Sequence, residues 1–303
     1  MTTESPHVKP LLWVMVGAIC ISFAPVFVKM LGQDVLGPTA IAFWRTLFGA
    51  AILFFWMGLR RMSLKMPWSI FKFTIIAGFM FYLDLSVWHR SIIFSGAGIA
   101  TILGNTQVFW MALIGFLIFK EKLSKIYLVA VVAAFIGVSL LVGVGSDIEF
   151  SAFYIRGIMF GLLTGVFYSG YMTSLKVAGH KPQEKRISFL AIMAWTSLFC
   201  ALFTGISMMI ESDPYLPPDL YSWLVLFSLA LVAQAAGWYI ISSNLPKLRA
   251  SQSGIVLLLQ PTFATVWGAL FFAERLTLLQ IVGAMVTIGA IYYGSVRAVK
   301  KRA

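Results

Sequence analysis

Charged side chains are scarce in this sequence. Asp, Glu, Lys and Arg make up 11% of its 303 residues, against roughly 25% in a soluble domain, too few polar groups to coat a water-exposed surface. Cysteine is nearly absent. Cys20 and Cys200, each inside an apolar run, exclude a disulfide framework and a thiolate metal site. The three histidines and the scattered acids form no cluster with metal-ligand spacing, so no metal and no cofactor are expected. No phosphate-binding glycine loop and no Gly-x-Ser-x-Gly elbow occurs. Catalytic residues are therefore expected to be none, and the missing ATP site argues against a primary pump.

Apolar residues are abundant. They fill 60% of the positions and aromatic residues 15%, with Trp and Tyr often near the ends of apolar runs, where amphipathic rings sit at headgroup level. The solvent for such a chain is lipid. A net charge of +12 would point to nucleic acid in a soluble protein. Here the basic residues sit in short loops, so they read as orientation signals and no nucleic-acid partner is expected. Met1 to Pro10 is too short and polar for a cleaved signal, so the first span is expected to be retained.

A bilayer core takes about 20 apolar residues per helix. Spans are expected near 10–31, 37–58, 69–90, 93–119, 126–144, 154–176, 187–210, 219–243, 250–272 and 277–296. With the N-terminus in the cytoplasm, the cytoplasmic segments hold eighteen of the twenty-three basic residues, among them Arg60, Arg61, Lys120, Lys122, Lys181, Lys185, Lys247 and Arg249. The opposite side holds Arg90, Arg156 and Arg275. The positive-inside rule then places both termini in the cytoplasm, which requires an even number of spans.

The chain also repeats. Shifted by 153 residues, Gln107 falls on Gln260, Gly115 on Gly268, Phe119 on Phe272 and Glu121 on Glu274. Five spans per half is odd, so the second half is inverted. The fold expected is an all-α integral membrane protein of ten transmembrane helices in two inverted five-helix repeats, residues 1–150 and 151–303, forming one compact membrane domain. Inverted repeats are a recurring design of secondary transporters, with the substrate site near the midplane where the halves meet.

The paired turns Glu121-Lys122-Leu123 and Glu274-Arg275-Leu276 carry a family likeness. So do Ser22-Phe23-Ala24-Pro25 with Lys29, Trp44-Arg45, and Leu83-Asp84-Leu85 with Trp88-His89. Together they resemble the drug/metabolite transporter superfamily in its EamA-type branch, over nearly the whole chain. That resemblance implies a central cavity lined by spans 1–4 and 6–9, with spans 5 and 10 peripheral. It also implies cargo such as amino acids, amines, sugar-linked metabolites or drugs, often moved outward on an ion gradient.

Charges inside a membrane cost several kcal/mol, so each invites a function. Lys29, Arg45, Asp84 and His89 fall in the outer third of the first half and are the candidate coupling or gating groups. Two readings stand open. Arg45 and Asp84 form an ion pair pinning spans 2 and 3, with Lys29 snorkelling outward. Alternatively, Asp84 is a proton site or the counter-charge for an amine, and Arg45 or Lys29 meets a carboxylate. His89 reads first as an interfacial residue and second as a proton relay. Gln107 and Gln260, matched between the repeats, are the leading substrate-binding candidates, with Asn105 beside them. Trp110, Tyr168, Tyr171 and Trp238 are aromatic candidates near polar positions. Gln234 is expected to make a plain helix–helix hydrogen bond. Pro25 and Pro261 should kink spans 1 and 9, and Gly157, Gly161 and Gly165 form a small-residue stripe for close packing.

The expected function is a secondary transporter of small metabolites, amino acids or amines favoured. It is expected to work by alternating access in a bacterial cytoplasmic membrane, as an exporter. Its partners are its substrate, lipids and protons or another coupling ion. The competing readings are a membrane-embedded enzyme on a lipid-linked substrate, a drug or toxic-compound efflux protein, and a channel.

Overall fold

The computed structural model describes residues 8–107, 109–110, 113–114, 117, 125–142, 150–179, 188–211, 214–244 and 259–300. Among them there is no strand; every element is helical, as lipid demands of a chain that must satisfy its backbone internally. The order is α1 Val8–Ser22, α2 Ala24–Val35, α3 Pro38–Leu59, α4 Trp68–Ser95, α5 Ala97–Gly104, α6 Lys125–Val142, α7 Ala152–Gly179 and α8 Phe189–Ile210. Then follow α9 Leu220–Ser228, a π-helical stretch Leu229–Gly237, α10 Trp238–Asn244, α11 Leu259–Phe272 and α12 Leu278–Lys300.

Six segments are long and apolar enough to cross a membrane: Leu12–Gly32, Pro38–Leu59, Trp68–Ser95, Ala152–Leu175, Phe189–Ile210 and Leu220–Ile241. They coincide with expected spans 1, 2, 3, 6, 7 and 8. Val129–Leu141 and Leu278–Ala290 are shorter apolar helices at expected spans 5 and 10. Much of spans 4 and 9, with Glu121 of the repeat, lies outside the described residues. Large apolar side chains on the outer faces are open, Phe55 at 69%, Phe135 at 71% and Leu270 at 69%, which in water would be an aggregation surface and in lipid is a solvated one.

α4 lies against α7, α3 against α8, α5 against α11, and α1 against the π stretch and α10. α6 and α12 pack on each other and touch the rest chiefly through α5, so they sit at the periphery, as the resemblance implied. The glycine stripe lets α7 close on the end of α4, on α5 and on the turn after it. A methyl on Gly157 would stand 2.8 Å from Phe94 Cβ, and one on Gly161 2.7 Å from Leu103 Cδ1; on Gly165 it would meet Thr106 Oγ1. Only hydrogen fits there.

The break expected at Pro25 is present. α1 ends at Ser22 and α2 begins at Ala24 with Pro25 in its first turn. Proline brings no N–H, so the carbonyl of Ile21 loses its helical donor. Pro261 is the third residue of α11 as described, and the turn before it, where its kink was expected, lies outside the described residues. Gly96 (φ +95°) breaks the chain between α4 and α5 in a conformation that disfavours any side chain.

Candidate functional site

A cavity of about 60 Å³ lies inside the bundle, room for a few water molecules. Both halves wall it. α3 contributes Arg45; α4 contributes Phe81, Asp84, Leu85 and Trp88; α5 contributes Thr101 and Gly104, with Asn105 directly after it. From the second half come Thr164 and Tyr168 on α7, Trp238 on α10 and Gln260 on α11. Phe81, Asp84, Leu85 and Trp88 follow helical spacing on α4, so one face of that helix supplies a third of the wall.

Arg45 and Asp84 share this cavity without pairing. The ion pair expected between α3 and α4 is not formed: among the described residues the two salt bridges are Lys29–Glu274 and Arg90–Glu211. Arg45, 2% exposed, donates from Nε to Gln234 Oε1 at 3.1 Å, and its Nη1 lies 3.5 Å from His89 Nε2. Its Cζ stands 5.7 Å from the Trp88 ring. Asp84 Oδ1 is buried without a hydrogen bond. Nor does Asp84 lie in the outer third. α4 runs on to Ser95, eleven residues past it, or about 16 Å at 1.5 Å per residue, so Asp84 stands near the middle of that helix.

His89 corrects its interfacial reading. It is fully buried, with Nδ1 3.1 Å from the Pro38 carbonyl oxygen. Lys29 reaches the loop that follows α11. Its ammonium meets Glu274 and sits 4.8 Å from the Phe272 ring centroid. Gln234 makes the helix–helix bonds expected of it, to Arg45 and from Nε2 to Ser197 Oγ at 3.1 Å. Its tie to the buried cation was not legible.

Of the substrate-binding candidates, Asn105, Tyr168, Trp238 and Gln260 line the cavity. Asn105 turns one amide hydrogen back to the Thr101 carbonyl at 2.8 Å. Gln107 lies behind that wall beside Tyr168, with Oε1 buried and unpartnered. Two candidates fall elsewhere. Trp110 is 38% exposed and lies beyond the Asn105–Thr106 turn that ends α5, where Thr106 N donates to Leu103 O at 3.0 Å. Tyr171 is core, stacked on Phe81 at 4.5 Å between centroids, with its hydroxyl on Met193 Sδ at 3.8 Å. Trp88, Thr101 and Thr164 were missed, yet each stands four residues from a residue that was found, Asp84, Asn105 and Tyr168, on the same helical face.

One end of the bundle is strapped shut by contacts between the halves. Arg90 Nη2 donates to both oxygens of Glu211 at 3.0 Å and to Thr39 Oγ1 at 3.0 Å. Gly37 N donates to Pro214 O at 2.7 Å, and Trp44 Nε1 to Tyr215 O at 2.9 Å. Beside them, Glu274 receives Lys29 and the backbone N–H of Ala97, the first residue of α5, at 3.0 Å.

The sequence pattern of the EamA-like transporter family matches residues 8–143 and again residues 155–295. The chain belongs to the EamA-like transporter family. As a member of that family, within the drug/metabolite transporter superfamily, it is a multi-pass membrane transporter and not an enzyme. It is 25% identical over 203 residues to a Salmonella typhimurium protein described as a probable amino-acid metabolite efflux pump, a match covering 65% of this chain and 66% of that one. The chain thus spans just under two thirds of that relative's length. An uncharacterized transporter of Archaeoglobus fulgidus is 23% identical over 282 residues, covering 92% of this chain and 93% of the relative. A solved crystal structure, 15% identical, superposes over 98% of this chain and 100% of its own with a TM-score of 0.65. That likeness speaks to the fold of this EamA-like chain alone.

Proposed function

We propose that this protein is a secondary active transporter exporting small metabolites, amino acids or amines foremost, across a bacterial cytoplasmic membrane by alternating access. The observation that carries this reading is the cavity between the halves. Its wall holds one cation and one acid that are not paired with each other, at about mid-membrane depth, where an unanswered charge is costly. Asp84 would answer a substrate ammonium or a coupling proton. The name of the Salmonella relative agrees with such cargo.

The ten-span, inverted-repeat architecture with both termini cytoplasmic belongs to the same proposal. Two matches of one family pattern in one chain support the duplication. Packing agrees with a twofold relation between the halves: their exchange maps the α3–α8, α5–α11 and α6–α12 pairs onto themselves, and α4–α7 onto the pair of the π stretch and α10 with α1; an odd number of spans per half then makes the second half inverted. The strapped end is then the outer one. A drug-sized ligand needs about 300 Å³ or more, so the cavity has to enlarge for loading, and the strap has to part for release.

Thermal unfolding of the purified protein against amino acids, amines, nucleotides, sugars and cationic drugs tests the reading. A ligand at about 100 times its dissociation constant stabilises by roughly 2.7 kcal/mol. An amino acid or amine should shift the transition, and Asp84→Asn should remove the shift while leaving a cooperative transition. Silence across the panel, or shifts that Asp84→Asn leaves intact, would count against it.

A further inference from the structure

We propose that Arg45 is the carboxylate-binding residue of the transport site, held open for that role by the uncharged groups of Gln234 and His89. The cargo then carries a carboxylate, and simple amines are disfavoured. This rests on the transporter reading above and narrows its substrate class.

A buried guanidinium is normally answered by a carboxylate. Arg45 is not: its two hydrogen-bonding neighbours are a neutral amide and an imidazole. Both are fixed in the orientation that accepts. Guanidinium nitrogens only donate, so the amide atom facing Arg45 must be oxygen, and Gln234 Nε2 turned toward Ser197 Oγ agrees with this. The Pro38 carbonyl only accepts, so His89 Nδ1 carries the proton facing it and Nε2 presents a lone pair to Arg45. Gly49 leaves the space Gln234 occupies; a methyl there would stand 2.5 Å from Gln234 Cγ.

Two of the five guanidinium N–H donors are thus used. The others have no acceptor among the described residues, and Arg45 lines the cavity. The Trp88 ring, 5.7 Å from Cζ, attracts the cation without neutralising it. Such a fork matches a carboxylate's two oxygens. Lys29 is no competitor, because Glu274 already answers it. Asp84 opens on the same cavity with an unpartnered oxygen, so the pair complements a zwitterion, carboxylate to Arg45 and ammonium to Asp84. A plain amine would add positive charge beside an unanswered guanidinium.

The test uses the purified full-length protein and ligand-induced thermal shifts with each of the twenty common amino acids. Each responder is followed by its decarboxylated amine and its deaminated acid. The expected order is amino acid, then acid, then amine, with the amine weaker than its parent by roughly tenfold or more in dissociation constant. Gln234→Glu nearly preserves shape but gives Arg45 an internal carboxylate. It should unfold at or above the wild-type temperature and bind amino acids roughly tenfold or more weakly. Arg45→Lys, which keeps the charge and loses the fork, should weaken amino acids more than it weakens amines, an independent reading if Gln234→Glu does not fold. Wild-type affinity in Gln234→Glu overturns the proposal. So does an amine binding as tightly as its amino acid, an outcome that leaves the transporter reading standing. No response from any compound of either class defeats both.

Discussion

Removing Glu274 should cost the fold far more than removing its partner Lys29. The carboxylate makes two kinds of bond. It pairs with Lys29, the side chains being 28% and 18% exposed, and a pair this open is worth about 1 kcal/mol. It also accepts from Ala97 N at 3.0 Å, at the start of the buried helix α5. A hydrogen bond to a charged group contributes about 1.5–3 kcal/mol, and without it that N–H has no replacement in apolar surroundings. Lys29→Ala removes the pair and spares the cap, so about 1 kcal/mol is expected. Glu274→Ala removes both and leaves the space beside Gly96 and Gly268 empty, giving about 2.5–4 kcal/mol. Glu274→Gln keeps a neutral acceptor for Ala97 and should fall between. Denaturant titration in mild detergent of both single variants and the double variant gives the coupling, expected near 1 kcal/mol. A Lys29→Ala loss equal to that of Glu274→Ala, or a coupling of zero, would refute the reasoning.

Three further outcomes are expected. Gly37 N and Pro214 O are 2.7 Å apart, close enough for a disulfide between Gly37→Cys and Pro214→Cys; oxidation should block transport and reductant restore it, measured as flux before and after each treatment. Gly161→Ala should destabilise by about 1–3 kcal/mol through overpacking against Leu103 and Ser91, whereas Gly289→Ala, with nothing within 4 Å, should be neutral or stabilising by up to about 1 kcal/mol; thermal unfolding separates them. Asp219, outside the spans, caps α9 by accepting from Ser222 N at 2.8 Å, which lowers its pKa from 3.8. Its contribution is present above that unfolded value and lost as pH falls through the lower folded value, so an unfolding series across that window should show a decline that Asp219→Asn lacks.

Residue type carried much of this account, and helix register carried less. Runs of apolar residues located the six long spans because lipid leaves a helix as the one open structure for them. Arg45 and Asp84 announced themselves as charges in apolar runs, and Asn105, Tyr168, Trp238 and Gln260 reached the cavity as polar or aromatic residues near mid-span. What failed depended on geometry that composition does not encode. Trp110 was misplaced because it was set by Gln107, which does not itself line the cavity, and Tyr171 because three residues along α7 carry a side chain from cavity to core. The partner of Lys29 could not be seen because it lies 245 residues away. The π stretch that carries Gln234 reads as an ordinary apolar run, so the cradle of Arg45 could not be seen, although four-residue spacing from Asp84, Asn105 and Tyr168 would have found Trp88, Thr101 and Thr164.

Counterflow in proteoliposomes tests most directly whether the cavity between the halves is a transport site. Vesicles containing the purified protein are preloaded with an unlabelled amino acid that stabilises it, and entry of the labelled form is followed. The account predicts transient accumulation above equilibrium, saturable with concentration and abolished by Asp84→Asn. Entry that never exceeds equilibrium, or accumulation that Asp84→Asn leaves unchanged, would contradict it.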